Sequence, residues 1–210
     1  MTILLIVEND TFAATFMKSS LEQLDYSSVH IAEDASTAMH LFRQIRPEAC
    51  LLDIELGSGP NGIDLARAMR KIDSKVGITF LTSIQDPRLI NLKGLQLPLG
   101  SKYLAKKSVV GTKQVSEIIA ESIEMATLGT QADLTEVKSD LKLTDGQFEL
   151  VRMIAEGHSN REIASQKVMT VKSTENAIAR LAKRLKITDT SSSSQRVLIT
   201  KRYFELIGKV

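Results

Sequence analysis

The sequence predicts a parallel α/β domain over residues 1–128 and an all-helical domain over 143–210, joined by a linker at 129–142. Three observations point to this division. Short, near-continuously apolar runs (Ile3–Val7, Ala49–Leu52, Ile78–Leu81, Tyr103–Ala105) have the pattern of strands buried on both faces, as in a parallel sheet. Between them lie stretches of about 10 to 15 residues with helical periodicity, which is the rhythm of repeated βα units. Charge also changes sign along the chain. From Leu141 onward there are 13 Lys/Arg against 7 Asp/Glu, or +6, whereas residues 1–140 carry 14 against 18, or −4. Such asymmetry suggests an acidic regulatory or catalytic half and a basic half that meets a polyanion.

Each apolar run ends in a group able to touch a phosphoryl group or a metal: Glu8-Asn9-Asp10, Asp53, Thr82-Ser83 and Lys106. Singly, such residues are turn or cap chemistry. Four of them at the carboxyl ends of strands mark the place where open α/β sheets bind ligands. In order, Phe12, Phe16, Leu21 and Leu24 predict an amphipathic helix over Thr11 to Asp25, and Val29 and Ile31 alternate as a second strand. Asp34 caps a helix carrying Ala38, Leu41, Phe42 and Ile45, which Pro47 ends. A third helix runs from Gly62 to Asp73. The fourth starts well at Asp86-Pro87, but Gly94 and Pro98 break it among Leu89, Ile90, Leu92, Leu95, Leu97 and Leu99. Its two readings are a short helix with a packed loop, or a pairing surface. Val115, Ile118, Ile119, Ile123 and Ala126 then predict a helix over Thr112 to Leu128, ended by Gly129.

Composition removes several classes of function. Cys50 is the only cysteine and lies in an apolar run, so no internal disulfide forms and a reducing cytosol is expected. No apolar stretch approaches the ~20 residues that span a bilayer, and Met1 leads directly into a strand, so a cytoplasmic chain with no membrane contact is expected. His30, His40 and His158 lack metal-ligand spacing.

Five strands with functional ends on the first, third, fourth and fifth resemble the receiver domain of two-component response regulators, a flavodoxin-like five-stranded parallel sheet. By position, the resemblance makes Asp53 the phosphoacceptor and Thr82 the switch hydroxyl, with Tyr103 the switch aromatic and Lys106 the phosphate-site lysine. It puts Mg²⁺ at Glu8, Asn9 and Asp53, with the Glu55 backbone carbonyl, and implies a sensor histidine kinase as phosphodonor. Mg²⁺ favours a few hard oxygen ligands and keeps several waters, which suits such a set. Two positions depart from the family. Asn9 stands where a second acid is usual, removing a charge from the metal site. Lys107 stands where a proline usually follows the lysine, so Lys106 is expected to be less rigidly aimed.

In the second half, Thr144-Asp145-Gly146-Gln147 and Ser159-Asn160-Arg161-Glu162 both have capping-box spacing and open short helices. Thr170 precedes a third helix with Ile178, Leu181 and Leu185 on one face and basic residues elsewhere, and the run Ser191 to Ser194 caps a fourth from Gln195 to about Ile207. A short helix, a tight turn and a basic helix form a helix-turn-helix. Leu143-Thr144, Ala155-Glu156-Gly157, Ser159 through Ala164 and Leu185 are similar to the LuxR/NarL type of DNA-binding domain. The resemblance implies double-stranded DNA as partner and pairing of two chains. Lys172, Ser173, Glu175 and Asn176 are the residues expected near bases, and Arg180 and Lys183 on phosphates. Ser173-Thr174-Glu175-Asn176-Ala177 departs from the family pattern, because an acid replaces a lysine. Glu175 can accept from cytosine, yet it repels phosphate.

The expected function is therefore a DNA-binding transcription regulator, not an enzyme in the ordinary sense, controlled by phosphorylation at Asp53 and paired when active. One alternative keeps DNA binding but regulates the chain without phosphorylation, given Asn9 and Lys107. Another is an Asp-phosphorylating hydrolase, although Asp53-Ile54-Glu55 lacks the second Asp of that class.

Overall fold

The four apolar runs and the alternating second strand pair in one parallel sheet in the computed structural model: β1 (Thr2–Val7), β2 (Tyr26–Ala32), β3 (Ala49–Leu52), β4 (Gly77–Thr82) and β5 (Lys102–Ala105). The strand order is β2-β1-β3-β4-β5. Register follows the apolar pattern, with Ile6 opposite both Ile31 and Leu51, and Phe80 opposite Leu52 and Tyr103. The structure describes residues 2–24, 26–91, 96–128, 143–187 and 194–208. The linker expected at 129–142, the Leu92, Gly94 and Leu95 part of the broken helix, and Ser191 to Ser193 lie outside them.

These residues divide into two compact units, one drawn from Met1–Ser83 and Leu95–Val137, the other from Ile84–Gly94 and Lys138–Val210. In the first, α1 (Thr11–Leu21) and α5 (Thr112–Leu128) cover one face of the sheet. Leu4, Ile6, Ala49, Leu51, Leu81 and Leu104 meet Leu21, Val115 and Ile119 there. The alternate residues Leu5, Val7, Cys50, Leu52, Ile78 and Phe80 are as fully buried, and α2 (Ala35–Ile45) packs on β1, β2 and α3 (Gly62–Ile72). Full burial of one such Leu or Ile is worth roughly 1.5–3 kcal/mol, so both faces drive the sheet to form.

Local signals set the helix ends. Asp34 accepts from Thr37 N at 2.8 Å, and Asn61 accepts from Ile63 N and Asp64 N at 2.9 and 3.0 Å. Arg46 ends α2 in the left-handed region at φ 47. α1 departs from the expectation in two ways. It stops at Leu21, and Phe12 and Phe16 are 81% and 64% exposed, while Ala14 and Leu21 are buried and Met17 is packed against the core. The helix turns its small residue to the sheet, since a phenylalanine at position 14 would hold the two apart.

The crossover between β4 and β5 is the second departure. The expected long fourth helix is reduced, among the described residues, to α4 (Arg88–Asn91). Within the first unit, α3 grips the far part of this crossover. Arg67 donates to the Gln96 carbonyl at 2.6 Å, and Arg70 donates to the carbonyls of Leu99 and Gly100.

The second unit holds α6 (Asp145–Ala155), α7 (Asn160–Gln166), α8 (Val171–Arg184) and α9 (Gln195–Leu206), with α6 packed on α9 and α7 on α8. Both expected capping boxes form, Thr144 with Gln147 and Ser159 with Glu162. Ser194 caps α9. Phe148, Val151, Ile163, Leu181, Ala182, Ile199 and Leu206 make the buried side of these helices. No helix among the described residues is long and apolar enough to cross a membrane.

Candidate functional site

Strand order reverses direction between β1 and β3, the two strands that lead into Glu8 and Asp53, and ligands of open α/β sheets bind at such a switch point. Backbone bonds hold both carboxylates there. Glu8 N donates to Ala32 O at 3.0 Å, Asp53 N to Val7 O at 2.9 Å, and Gly62 N to Ile54 O at 3.0 Å. Glu8 and Asp53 are 2% and 6% exposed. From β5, Lys106 opens a 3-10 turn (Lys106–Ser108) and donates to Glu8 Oε2 at 2.6 Å and to Asp53 Oδ2 at 2.8 Å. Lys107 therefore does not leave Lys106 unaimed, because two carboxylates fix its ammonium.

Burial raises the Glu8 pKa most, with the Asp53 charge adding to it, and the Lys106 hydrogen bond offsets only part. For Lys106, burial disfavours the charge, but its hydrogen bonds to Asp53 and Glu8 and their charges outweigh that and raise its pKa. The directions differ because Glu8 is almost enclosed beside a like charge, whereas Lys106 is shared by two opposite ones. Oxygens of two buried carboxylates thus converge on one cationic atom, and such hard donors suit Mg²⁺.

The remaining expected residues fall around this trio. Glu55 N donates to Asp53 Oδ1 at 3.2 Å, which orients the carboxylate. Thr82, fully buried, ends β4 opposite Ala105, and Tyr103 is buried on β5. Asn9 is exposed. Among the described residues no three His, Cys, Asp or Glu side chains gather as a metal-binding group. Asp10 supplies no further carboxylate, because its Oδ1 accepts from Phe12 N and Ala13 N at 2.9 and 3.0 Å as the cap of α1. Sequence reasoning missed Gly62. A Cβ there would lie 1.9 Å from the Asp53 carbonyl oxygen, so only glycine lets α3 approach the acceptor's backbone. Its signal was the Asn61-Gly62 pair.

In the second unit, Thr174, Ile178, Leu181 and Ala182 face inward on α8. Lys172, Ser173, Glu175, Asn176, Arg180 and Lys183 are all exposed, as the expected base and phosphate contacts must be. Ser173 also belongs to the helix start. Its backbone N donates to Thr170 Oγ1 at 3.0 Å, and its Oγ accepts from that hydroxyl at 2.9 Å. Lys172 Nζ lies 3.4 Å from Glu175 Oε2, which softens the acid's repulsion of a polyanion.

Comparison with known proteins agrees with this geometry. The model of the response regulator receiver domain matches residues 4–108, half of the chain. The response regulator protein VraR of Staphylococcus epidermidis is 22% identical over 165 residues, covering 75% of each chain. The response regulator protein GraR of Staphylococcus aureus is 30% identical over 144 residues, covering 65% of this chain and 62% of that one. Among solved structures, the two-component response regulator RcsB in complex with DNA superposes with a TM-score of 0.58 at 16% identity, covering 98% of both chains. Its likeness is one of fold. With the receiver sheet, the buried acid and lysine at its switch point and the family match over half the sequence, this chain belongs to the response regulator receiver family.

Proposed function

We propose that this two-component response regulator is a transcription factor whose DNA binding is controlled by phosphorylation of Asp53. The observation that carries the reading is the convergence of Glu8, Asp53 and Lys106 at the switch point. A phosphoryl group moving in line onto Asp53 gathers charge on its equatorial oxygens, and Lys106 is placed to neutralise part of it. Mg²⁺ held by Glu8, Asp53, the Asn9 side chain and the Glu55 carbonyl would neutralise the rest. Thr82 and Tyr103 serve as the switch pair. A sensor histidine kinase in the cytoplasm is the phosphodonor.

The functional division places the receiver at 1–128, the linker at 129–142 and a LuxR/NarL-type helix-turn-helix domain at 143–210. Lys172, Ser173, Glu175 and Asn176 face bases of double-stranded DNA, with Arg180 and Lys183 on phosphates. Two chains pair when active, since one helix-turn-helix buries little surface. Regulation without phosphorylation is not favoured, because the relatives are response regulators and the buried acid and lysine stand together. Mass spectrometry after incubation with acetyl phosphate and Mg²⁺ tests the reading. One added phosphoryl group is expected on the native chain and none on Asp53→Asn; an equal gain on both would refute it.

A further inference from the structure

α8 opens on an apolar side chain that stands partly in water. Thr170 caps the helix, its Oγ1 accepting from Ser173 N at 3.0 Å, so Val171 is the first helical residue. Thr174, Ile178, Leu181 and Ala182 turn inward and are at most 5% exposed, whereas Val171 is 39% exposed. Val168 and Met169 are exposed too, but they precede the cap and belong to the turn before the helix.

The surroundings of Val171 are polar and cationic. Lys172, Arg180, Lys183 and Arg184 are exposed on the same helix, and Glu175 lies one turn on from Val171, on the same face. A polyanion that carries apolar groups between its charges matches such a surface. In duplex DNA that group is the C5 methyl of thymine, on the major-groove edge that the first residues of a recognition helix reach. Valine suits the contact, because its branched side chain is stiff and loses little rotamer freedom when its methyls are seated.

We propose that Val171 is a specificity-determining residue that packs on a thymine C5 methyl in each half-site. The proposal rests on the DNA-binding reading above and adds an apolar contact to its polar ones. The cations hold the helix against any duplex; the valine contributes only where thymine stands. Cytosine offers a hydrogen in place of the methyl, and a purine offers N7, an acceptor that valine would strip of water and leave unpaired.

The test uses the full chain and a duplex recovered by selection from random sequence. Each thymine is replaced in turn by deoxyuridine, which removes the C5 methyl and keeps every hydrogen-bonding group. At one thymine of each half-site the replacement is expected to weaken binding by the native chain about four-fold, the weight of one buried methyl group. Val171→Ala should bind the thymine duplex about four-fold more weakly than the native chain and should treat thymine and deoxyuridine there alike, with the salt slope unchanged. Val171→Ser should behave in the same way, so that the outcome does not hang on the folding of one variant. The proposal is overturned if no thymine methyl matters to the native chain, or if the dependence on a methyl persists in the variants. Equal weakening on selected and scrambled duplexes would also overturn it, since the valine would then be a non-specific contact. A native chain that prefers no duplex over scrambled sequence would overturn the DNA-binding reading and this proposal with it, so the two failures are distinct.

Discussion

Lys106 Nζ lies 2.8 Å from Asp53 Oδ2 and 2.6 Å from Glu8 Oε2, so one ammonium faces two buried carboxylates. The cluster keeps one uncompensated negative charge, and Glu8 carries its cost: its pKa is raised despite the lysine. An acid with a raised folded pKa contributes stability that is present below its ordinary value of 4.5 and lost as pH rises through the folded value. Glu8→Gln should therefore match the native protein in stability at low pH and exceed it at pH 7, by about 1 kcal/mol or more. Urea unfolding at both pH values checks this. A constant difference across the range would contradict the assigned cause. Phosphorylation should slow in the same variant, since stability and activity trade against each other at such a site.

Asn9 stands beside Glu8 where the family usually has an acid. Asp10 is committed to capping α1, so it cannot replace the missing charge without costing the helix its cap. Restoring the acid with Asn9→Asp should tighten Mg²⁺ binding roughly ten- to hundred-fold, or about 1.4 to 3 kcal/mol. Calorimetric titration of both forms with Mg²⁺ measures it. Equal affinities would remove Asn9 from any account of the metal site.

On α8, Lys183 and Glu175 should behave differently. Lys183→Ala is expected to weaken binding to all duplexes alike and to lower the salt slope by about one unit, as the loss of one phosphate contact does. Glu175→Lys should change the preferred base and raise non-specific affinity, because it also ends the pairing with Lys172. Anisotropy titrations at several salt concentrations, on selected and scrambled duplexes, separate the two effects.

Val168, in the turn between α7 and α8, has φ 51 and is 93% exposed. A β-branched residue in the left-handed region costs roughly 1–2 kcal/mol, and here burial returns nothing. Val168→Gly should raise the stability of the helical unit by about 1 kcal/mol, with DNA binding retained. A lower unfolding midpoint in the variant would show that the valine has a packing role.

The parts of the fold legible in the sequence are those set locally. Asp34, Thr144, Ser159, Thr170 and Ser194 all cap the helices their spacing implied, because a cap is a bond between near neighbours. Four strands were legible because burial on both faces leaves few polar residues to confuse the pattern, and β2 was legible by the alternation of Val29 and Ile31 with polar neighbours. Two features were not. Phe12 and Phe16 read as the inner face of α1, yet the sheet takes Ala14, a choice made by how closely helix and strands approach. Nor does anything near Asp86-Pro87 announce that Arg88 will meet Leu143 and Phe148, since those partners are 55 and more residues away. At the switch point the polar strand ends were legible as candidates. Their convergence on one ammonium, and the glycine that makes room at Asp53, depend on strand order and were visible only in three dimensions.

The account stands or falls on whether Asp53 controls DNA affinity. The direct measurement is the dissociation constant for a selected duplex, before and after treatment with acetyl phosphate and Mg²⁺, for the native chain and for Asp53→Asn. The account predicts tightening of at least about five-fold in the native chain and no change in the variant. The same response in both proteins, or no response in a native chain shown to be phosphorylated, would contradict it.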